Sequence, residues 1–199
     1  MISPNRLFFT GVPGSHWSAI AQDLEMIPGF NTSDHGESRD YSPGHYTGHK
    51  GAYFGTGMEF TADIENIPAD IRNQHLNSPW TTGAGTKIVK SHEWAYKLPF
   101  IKNNFPNDWI MLVYRPDMPS FAWWHEAGGF NIKYPSYAAY KDSTTMLSEI
   151  VKQNQAILNY GYSVDATWNH FSSHWVEDNF GAKIDTKYHG DDILVTLIK

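Results

Sequence analysis

RLFFTGVPGSHWS, residues 6–18, is the stretch that indicates the fold class of this chain. It begins with a mostly apolar run, residues 6–10, which is typical of a buried strand. The glycines and the proline of residues 11–14 then predict a turn. Beyond it, Ile20, Leu24 and Ile27 recur at the spacing of one helical face, and Pro28-Gly29 ends the pattern. The stretch therefore predicts a strand, a turn and a helix in succession.

The rest of the chain continues this alternation of strands and helices. Further strands are predicted at 87–90, 109–114 and 192–198, and helices at 63–77 (with Pro68 near the start), 99–104, 118–126, about 136–161 and 168–180, the last capped by Gly181. Uniformly apolar strands separated by helices favour a mostly parallel sheet covered on both faces. We therefore expect an α/β three-layer sandwich, with residues 1–199 forming one domain and a long irregular loop at about 31–60.

The composition excludes several classes of protein. No Cys is present, which excludes disulfides, thiolate metal sites and a cysteine nucleophile. The formal net charge of −6 argues against a general nucleic-acid binder, which would normally carry a basic face. No apolar run approaches the ~18 residues needed to cross a membrane, and the N-terminal residues lack the apolar run of a signal peptide. We therefore expect a cytoplasmic protein.

The turn after the first strand is a candidate phosphate-binding site. A helix N-terminus offers unpaired backbone N–H groups and the positive end of the helix dipole, and a glycine turn lets an anion approach them. The candidate binding residues are Pro13, Gly14, Ser15, His16, Trp17 and Ser18. An ordinary turn between a strand and a helix is the alternative, because Gly, Pro and Ser favour any turn.

Two features of the sequence disfavour metal-dependent phosphoryl transfer. A nucleotide-hydrolysing P-loop ends in Gly-Lys-Ser/Thr, whereas this turn ends in His16-Trp17-Ser18 and lacks the lysine. Neither residues 111–115 nor the last predicted strand ends in the Asp that would hold Mg²⁺. These features favour a relative of the P-loop proteins that handles a nucleotide without a metal ion.

Three stretches, in the expected order, resemble the sulfotransferase family. Residues 9–18 look like the 5′-phosphosulfate loop, and residues 88–92 followed by Leu98-Pro99 are similar to a Lys-Thr-His and Leu-Pro stretch of the cytosolic enzymes. Residues 110–124 look like the strand, Arg and helix that hold the cofactor's 3′-phosphate. The chain most resembles small sulfotransferase-like proteins of marine phages, which have a similar His/Gly/Tyr-rich segment. A phage protein would act in the host cytoplasm.

The resemblance implies a P-loop NTPase-like fold and a reaction. The cofactor would be 3′-phosphoadenosine-5′-phosphosulfate (PAPS), converted to adenosine 3′,5′-bisphosphate (PAP), with no metal required. The sulfuryl acceptor would be a hydroxyl of a small molecule, a carbohydrate or a peptide. His92 would be the general base, Lys90 would offset charge on the bridging oxygen, and Arg115 with Ser120 would bind the 3′-phosphate.

The chain departs from the family pattern at three places. Gly14 stands where the family usually carries Lys or Arg, and Trp123 stands where it has the serine that binds the 3′-phosphate. The Gly-rich basic segment near the family's C-terminus has no counterpart. These departures keep two other functions open, a degenerate P-loop protein that binds a nucleotide or another anion without catalysis, and a small-substrate kinase.

Several residues carry alternative interpretations. His35, His45 and His49, with Asp34 and Glu37, are metal-ligand types, but their spacing matches no metal motif and favours a solvated or acceptor-facing loop. An aromatic acceptor platform is one interpretation of Trp123, Trp124, Tyr134, Tyr137 and Tyr140, whereas the two tryptophans also suit a helix core. For Arg115, the alternative to a phosphate is a salt bridge to Asp117.

Overall fold

The computed structural model describes residues 4–41, 49–131 and 142–199. Its strands are β1 Arg6–Gly11, β2 Asp40–Tyr41, β3 His49–Lys50, β4 Lys87–Lys90, β5 Trp109–Tyr114, β6 Asn169–His170 and β7 Leu194–Ile198. Its α-helices are α1 Trp17–Glu25, α2 Ala69–Asn77, α3 Leu98–Asn104, α4 Asp117–Glu126, α5 Ser143–Ser163 and α6 Ser173–Phe180. Short 3₁₀ helices span Glu37–Arg39, Glu93–Tyr96 and Gly129–Asn131. The α/β class is confirmed.

The main sheet is mixed, so the prediction of a mostly parallel sheet is wrong. Its five strands lie in the order β4-β1-β5-β7-β6. The pairs β4–β1 and β1–β5 are parallel, whereas β5–β7 and β6–β7 are antiparallel. An apolar run indicates that a strand is buried and carries no information about its direction. Because Leu194 pairs with Tyr114, β7 starts at the carboxyl end of β5, the end where β1 leads into the turn.

Apolar clusters cover both faces of the sheet. Phe8 of β1 belongs to a cluster with residues of α3 and α5, whereas Leu7 and Phe9 belong to a second cluster with residues of α1 and α6. The central strands β1 and β5 are therefore buried on both faces, which explains their uniformly apolar sequences. The predicted apolar face of α1 is confirmed, because Ile20, Leu24 and Ile27 are all buried.

Helix predictions differ from the structure mainly at the N-terminal ends. Within the predicted range 63–77, helix α2 begins directly after Pro68, where the sequence places its start, because the fixed φ of proline suits a helix start. The helix predicted from 168 begins as α6 at Ser173, because the Ser172 hydroxyl accepts the Trp175 N–H at 3.1 Å and caps it there. Gly181 ends α6 in the left-handed conformation, as expected. The predicted start of α5, 136–141, lies outside the described residues.

Within the three described ranges, none of the helices combines the length and the apolar character that crossing a membrane requires. The assignment of residues 1–199 to one domain stays a prediction.

Candidate functional site

The turn between β1 and α1 is closed by its own hydrogen bonds. Ser15 is fully buried, and both its N–H (3.1 Å) and its hydroxyl (2.7 Å) donate to the Val12 carbonyl. His16 adopts a left-handed conformation, and its carbonyl accepts the N–H groups of Ala19 and Ile20 at the start of α1. The predicted succession of strand, turn and helix is confirmed.

Gly14 brings the turn into contact with the backbone of α4. Its φ is +79°, and a Cβ at this position would lie 1.9 Å from the Ser120 carbonyl oxygen. Ser120 is fully buried, and its hydroxyl donates to the Arg115 carbonyl at 3.2 Å. No side chain fits at Gly14 as the helix stands, so the family's Lys or Arg has no room here.

Arg115 lies at the turn and holds two partners. Its Nη1 donates to the Gly14 carbonyl at 3.1 Å, and its Nε donates to Asp192 Oδ2 at 2.7 Å. Asp117, the alternative partner considered from the sequence, accepts instead from Asn154 Nδ2 at 2.7 Å. That same nitrogen donates to the Arg115 carbonyl at 2.8 Å, so Asn154 fixes the corner between β5 and α4.

His92 lies beneath the turn as a neutral imidazole. It is buried, its Nδ1 hydrogen-bonds the Gly11 carbonyl, and its ring lies 4.5 Å from that of Trp17. Because a carbonyl can only accept, Nδ1 carries the proton and Nε2 carries the lone pair. Burial lowers the pKa of His92 to about 4, against the opposing effect of the hydrogen bond to Gly11. The ring is therefore uncharged at neutral pH.

The Lys90 side chain reaches the C-terminal end of α1, whereas the turn lies at the N-terminal end of this helix. Its side chain is 1% exposed, and its Nζ donates to Glu25 Oε1 at 2.8 Å and to the Lys50 carbonyl. Glu25 also pairs with His35, whose Nε2 lies 3.3 Å from Oε2. Since Glu25 is the last residue of α1, this pair is separated by the length of the helix from the turn. The structure thus brings His92, Arg115 and Ser120 to the turn, but not Lys90.

The structure adds two residues that the sequence did not indicate, His189 and Asp23. His189 Nε2 lies 3.0 Å from Asp23 Oδ2, and its ring meets the His16 ring edge-on at 6.1 Å between centroids. Burial, with the nearby charges of Arg115 and His189, lowers the pKa of His16 to about 4. The signal that could have found this contact is the polar run 187–191, directly before the last predicted strand.

The structure describes only some of the residues considered for an aromatic acceptor platform or a metal site. Trp124 is a core residue, whereas the partly buried Trp123 has its ring 4.3 Å from that of His16. Tyr134, Tyr137, Tyr140, His45 and the side chain of His49 lie outside the described residues. Asp34 accepts the Ala52 N–H at 2.7 Å. In the part of the chain that is described, no three His, Asp or Glu side chains are arranged to hold a metal ion.

Chemically, the turn combines a helix N-terminus with one cation and one neutral base. The partly buried Ser18 and the half-buried His16 lie at the start of α1, where the helix dipole favours an anion. Arg115 adds a guanidinium suited to phosphate or sulfate oxygens. His92 adds an uncharged imidazole, hydrogen-bonded to the Gly11 carbonyl.

Comparison of the chain with protein families, with curated proteins and with solved structures finds no match in any of the three. The functional interpretation therefore depends on the motifs of the sequence and on the geometry of the turn.

Proposed function

We propose that the chain is a sulfotransferase that moves a sulfuryl group from PAPS to an acceptor hydroxyl. The observation that carries the proposal is that His92 and Arg115, which follow the ends of separate strands, both hydrogen-bond carbonyls of the same turn, those of Gly11 and Gly14. Open α/β sheets bind ligands at the carboxyl ends of their strands, which is where this turn lies. The two apolar clusters on opposite faces of the sheet support the three-layer, P-loop-like arrangement that this function implies.

The residues around the turn suit the phosphate groups of such a cofactor. The start of α1 and the Ser18 hydroxyl offer hydrogen-bond donors and a positive dipole end. The Arg115 guanidinium supplies the positive charge that the missing side chain at Gly14 does not. When bound, PAPS supplies the activated sulfuryl group.

The protein's part in the step is to bind the phosphate groups of the cofactor and to remove the acceptor's proton. Bound PAPS would supply the sulfuryl group to the acceptor oxygen, and PAP would be the leaving group that takes the bonding electrons. The acceptor proton would go to Nε2 of His92, the ring nitrogen that does not bond the Gly11 carbonyl. Such base catalysis typically contributes about 10²- to 10⁴-fold.

The experiment is a transfer assay joined to a binding assay. PAP should raise the melting temperature of the wild-type protein, because a ligand that binds only the folded state stabilises it. The His92→Ala variant should lose transfer and keep PAP binding, whereas Arg115→Ala should weaken binding itself. The control is His174→Ala, which removes an exposed histidine of α6. Retained turnover in His92→Ala would refute the assignment of the base.

A second candidate function is binding of a nucleotide or another anion without catalysis. It is favoured by the position of Lys90, whose Nζ is paired with Glu25 away from the turn. If Lys90 is to offset charge on the bridging oxygen, it must exchange that partner. PAP binding with no sulfated product across a broad panel of hydroxyl acceptors would favour this second function over the first. The acceptor and the cytoplasmic location stay predictions.

A further inference from the structure

Residues 187–192, here called the 187–192 segment, link Asp23, in the last turn of α1, to Arg115. At one end, Asp23 Oδ2 accepts the Lys187 N–H at 3.1 Å and lies 3.0 Å from His189 Nε2. The Asp23 and His189 side chains are both more than nine-tenths buried. At the other end, Asp192 Oδ2 accepts Arg115 Nε at 2.7 Å. The segment is therefore held at one end by a buried contact with α1 and at the other end by an ion pair with Arg115.

Gly190 shapes the segment so that Asp192 meets Arg115. Its φ is +116°, a conformation that only glycine adopts readily. A Cβ there would lie 2.8 Å from Asp192 Oδ1, and the Ile193 N–H donates to the Gly190 carbonyl at 3.4 Å. The tight turn over 190–193 thus presents the Asp192 carboxylate just before β7 begins.

The Asp192 carboxylate makes the contact that a ligand anion would need. A carboxylate and a phosphate or sulfate group both offer paired oxygens to a guanidinium. The side chain of Asp192 is 34% exposed and that of Arg115 is 14% exposed, so the ion pair borders solvent. A dianionic phosphate carries more charge than the carboxylate and can replace it on Arg115.

We propose that the 187–192 segment is an autoinhibitory latch, in which Asp192 occupies Arg115 until a phosphate or sulfate ester displaces it. The inference rests on the proposed function only in assigning an anionic ligand group to Arg115. The buried contact between Asp23 and His189 keeps residues 187–189 attached to α1, and Ile193 is held in the core, so opening moves residues 190–192. The apparent affinity for the ligand is then the intrinsic affinity of Arg115 multiplied by the fraction of molecules in which the latch is open.

The test compares Asp192→Asn with the matched control Asp191→Asn. Both variants remove one negative charge from adjacent positions, but Asp191 is exposed and interacts with the Tyr188 hydroxyl. Isothermal titration with PAP, and separately with inorganic sulfate, measures affinity. We expect Asp192→Asn to bind about two- to fivefold more tightly than wild type, because loss of a competing ion pair near the surface is worth up to about 1 kcal/mol. Asp191→Asn should stay within about twofold. Equal or weaker binding by Asp192→Asn would overturn the latch.

Amide hydrogen exchange separates failure of the latch from failure of the proposed function. Exchange over residues 190–193 should be faster in Asp192→Asn than in wild type without any ligand, and faster in wild type saturated with PAP. If PAP binds wild type and exchange there is unchanged or slower, the latch is refuted and the proposed function stands. If sulfate opens the segment while PAP binds no variant, the latch stands and the proposed function fails. If neither anion binds any variant, both fail.

Discussion

The Gly14→Ala substitution tests whether the turn is fixed by its contact with α4. An L-residue in the left-handed region costs about 1–2 kcal/mol, and φ at Gly14 is +79°. The new Cβ would also lie 1.9 Å from the Ser120 carbonyl oxygen, a backbone atom that can yield only if α4 moves. Overpacking of this kind adds about 1–3 kcal/mol. We therefore expect a total loss of about 2–5 kcal/mol in the free energy of unfolding, measured by urea denaturation.

A second glycine isolates the contribution of the contact. Gly29 has φ +104°, and a Cβ there would meet no atom within 4 Å. The Gly29→Ala variant carries the backbone strain alone, so it should lose about 1–2 kcal/mol. The difference between the two variants is the cost of moving α4, and it should be accompanied by weaker PAP binding in Gly14→Ala only. If the two variants lie within about 0.5 kcal/mol of each other, the contact with α4 does not fix the turn.

Three further predictions concern buried polar groups. Lys90→Met removes the lysine partner of the largely buried Glu25, which keeps its contact with His35, and should cost about 3 kcal/mol in a urea denaturation, much of it recovered when Glu25→Gln is added. His92 has a pKa lowered from 6.5 to about 4 by burial, so between these values the unfolded chain binds more protons and stability falls as the pH falls. The loss approaches about 3 kcal/mol by pH 4, and comparison of the pH dependence with that of His92→Gln checks it. Asn154→Leu removes the hydrogen bonds to the Arg115 carbonyl and Asp117, which should cost about 1–3 kcal/mol by thermal unfolding and weaken PAP binding.

The elements that the sequence predicts well are those with strong local signals. β1 and β5 are apolar on both faces, and a run such as Trp109–Tyr114 has few alternatives to a buried strand. The apolar face of α1, the start of α2 after Pro68 and the cap of α6 at Gly181 are likewise encoded within a few residues. The turn after β1 is predicted equally well, because the glycines and the proline of residues 11–14 favour it without any distant partner.

Pairings over long sequence separations could not be predicted in the same way. Lys90 could point to either end of α1, and its pairing with Glu25 spans 65 positions of the sequence. The direction of β7 depends on where the irregular residues 181–193 enter the sheet, and no periodicity indicates that. The contact of Asp192 with Arg115 could not be predicted either, because it exists only once β7 lies beside β5.

The contacts of the turn also indicate which part of it remains for a ligand. Ser15 donates both its N–H and its hydroxyl to Val12, and the Gly11 and Gly14 carbonyls accept from His92 and Arg115. These two carbonyls and the Ser15 donors are therefore committed to the protein's own contacts, and in the proposed function anion binding depends on the other N–H groups of the turn and of the start of α1, together with the guanidinium. Because that guanidinium bonds the backbone of Gly14, the positive charge that the sulfotransferase pattern carries on the turn residue itself is supplied here from the end of β5. Under this interpretation the site requires glycine at position 14, because a side chain there would push the turn away from α4, the helix that follows Arg115.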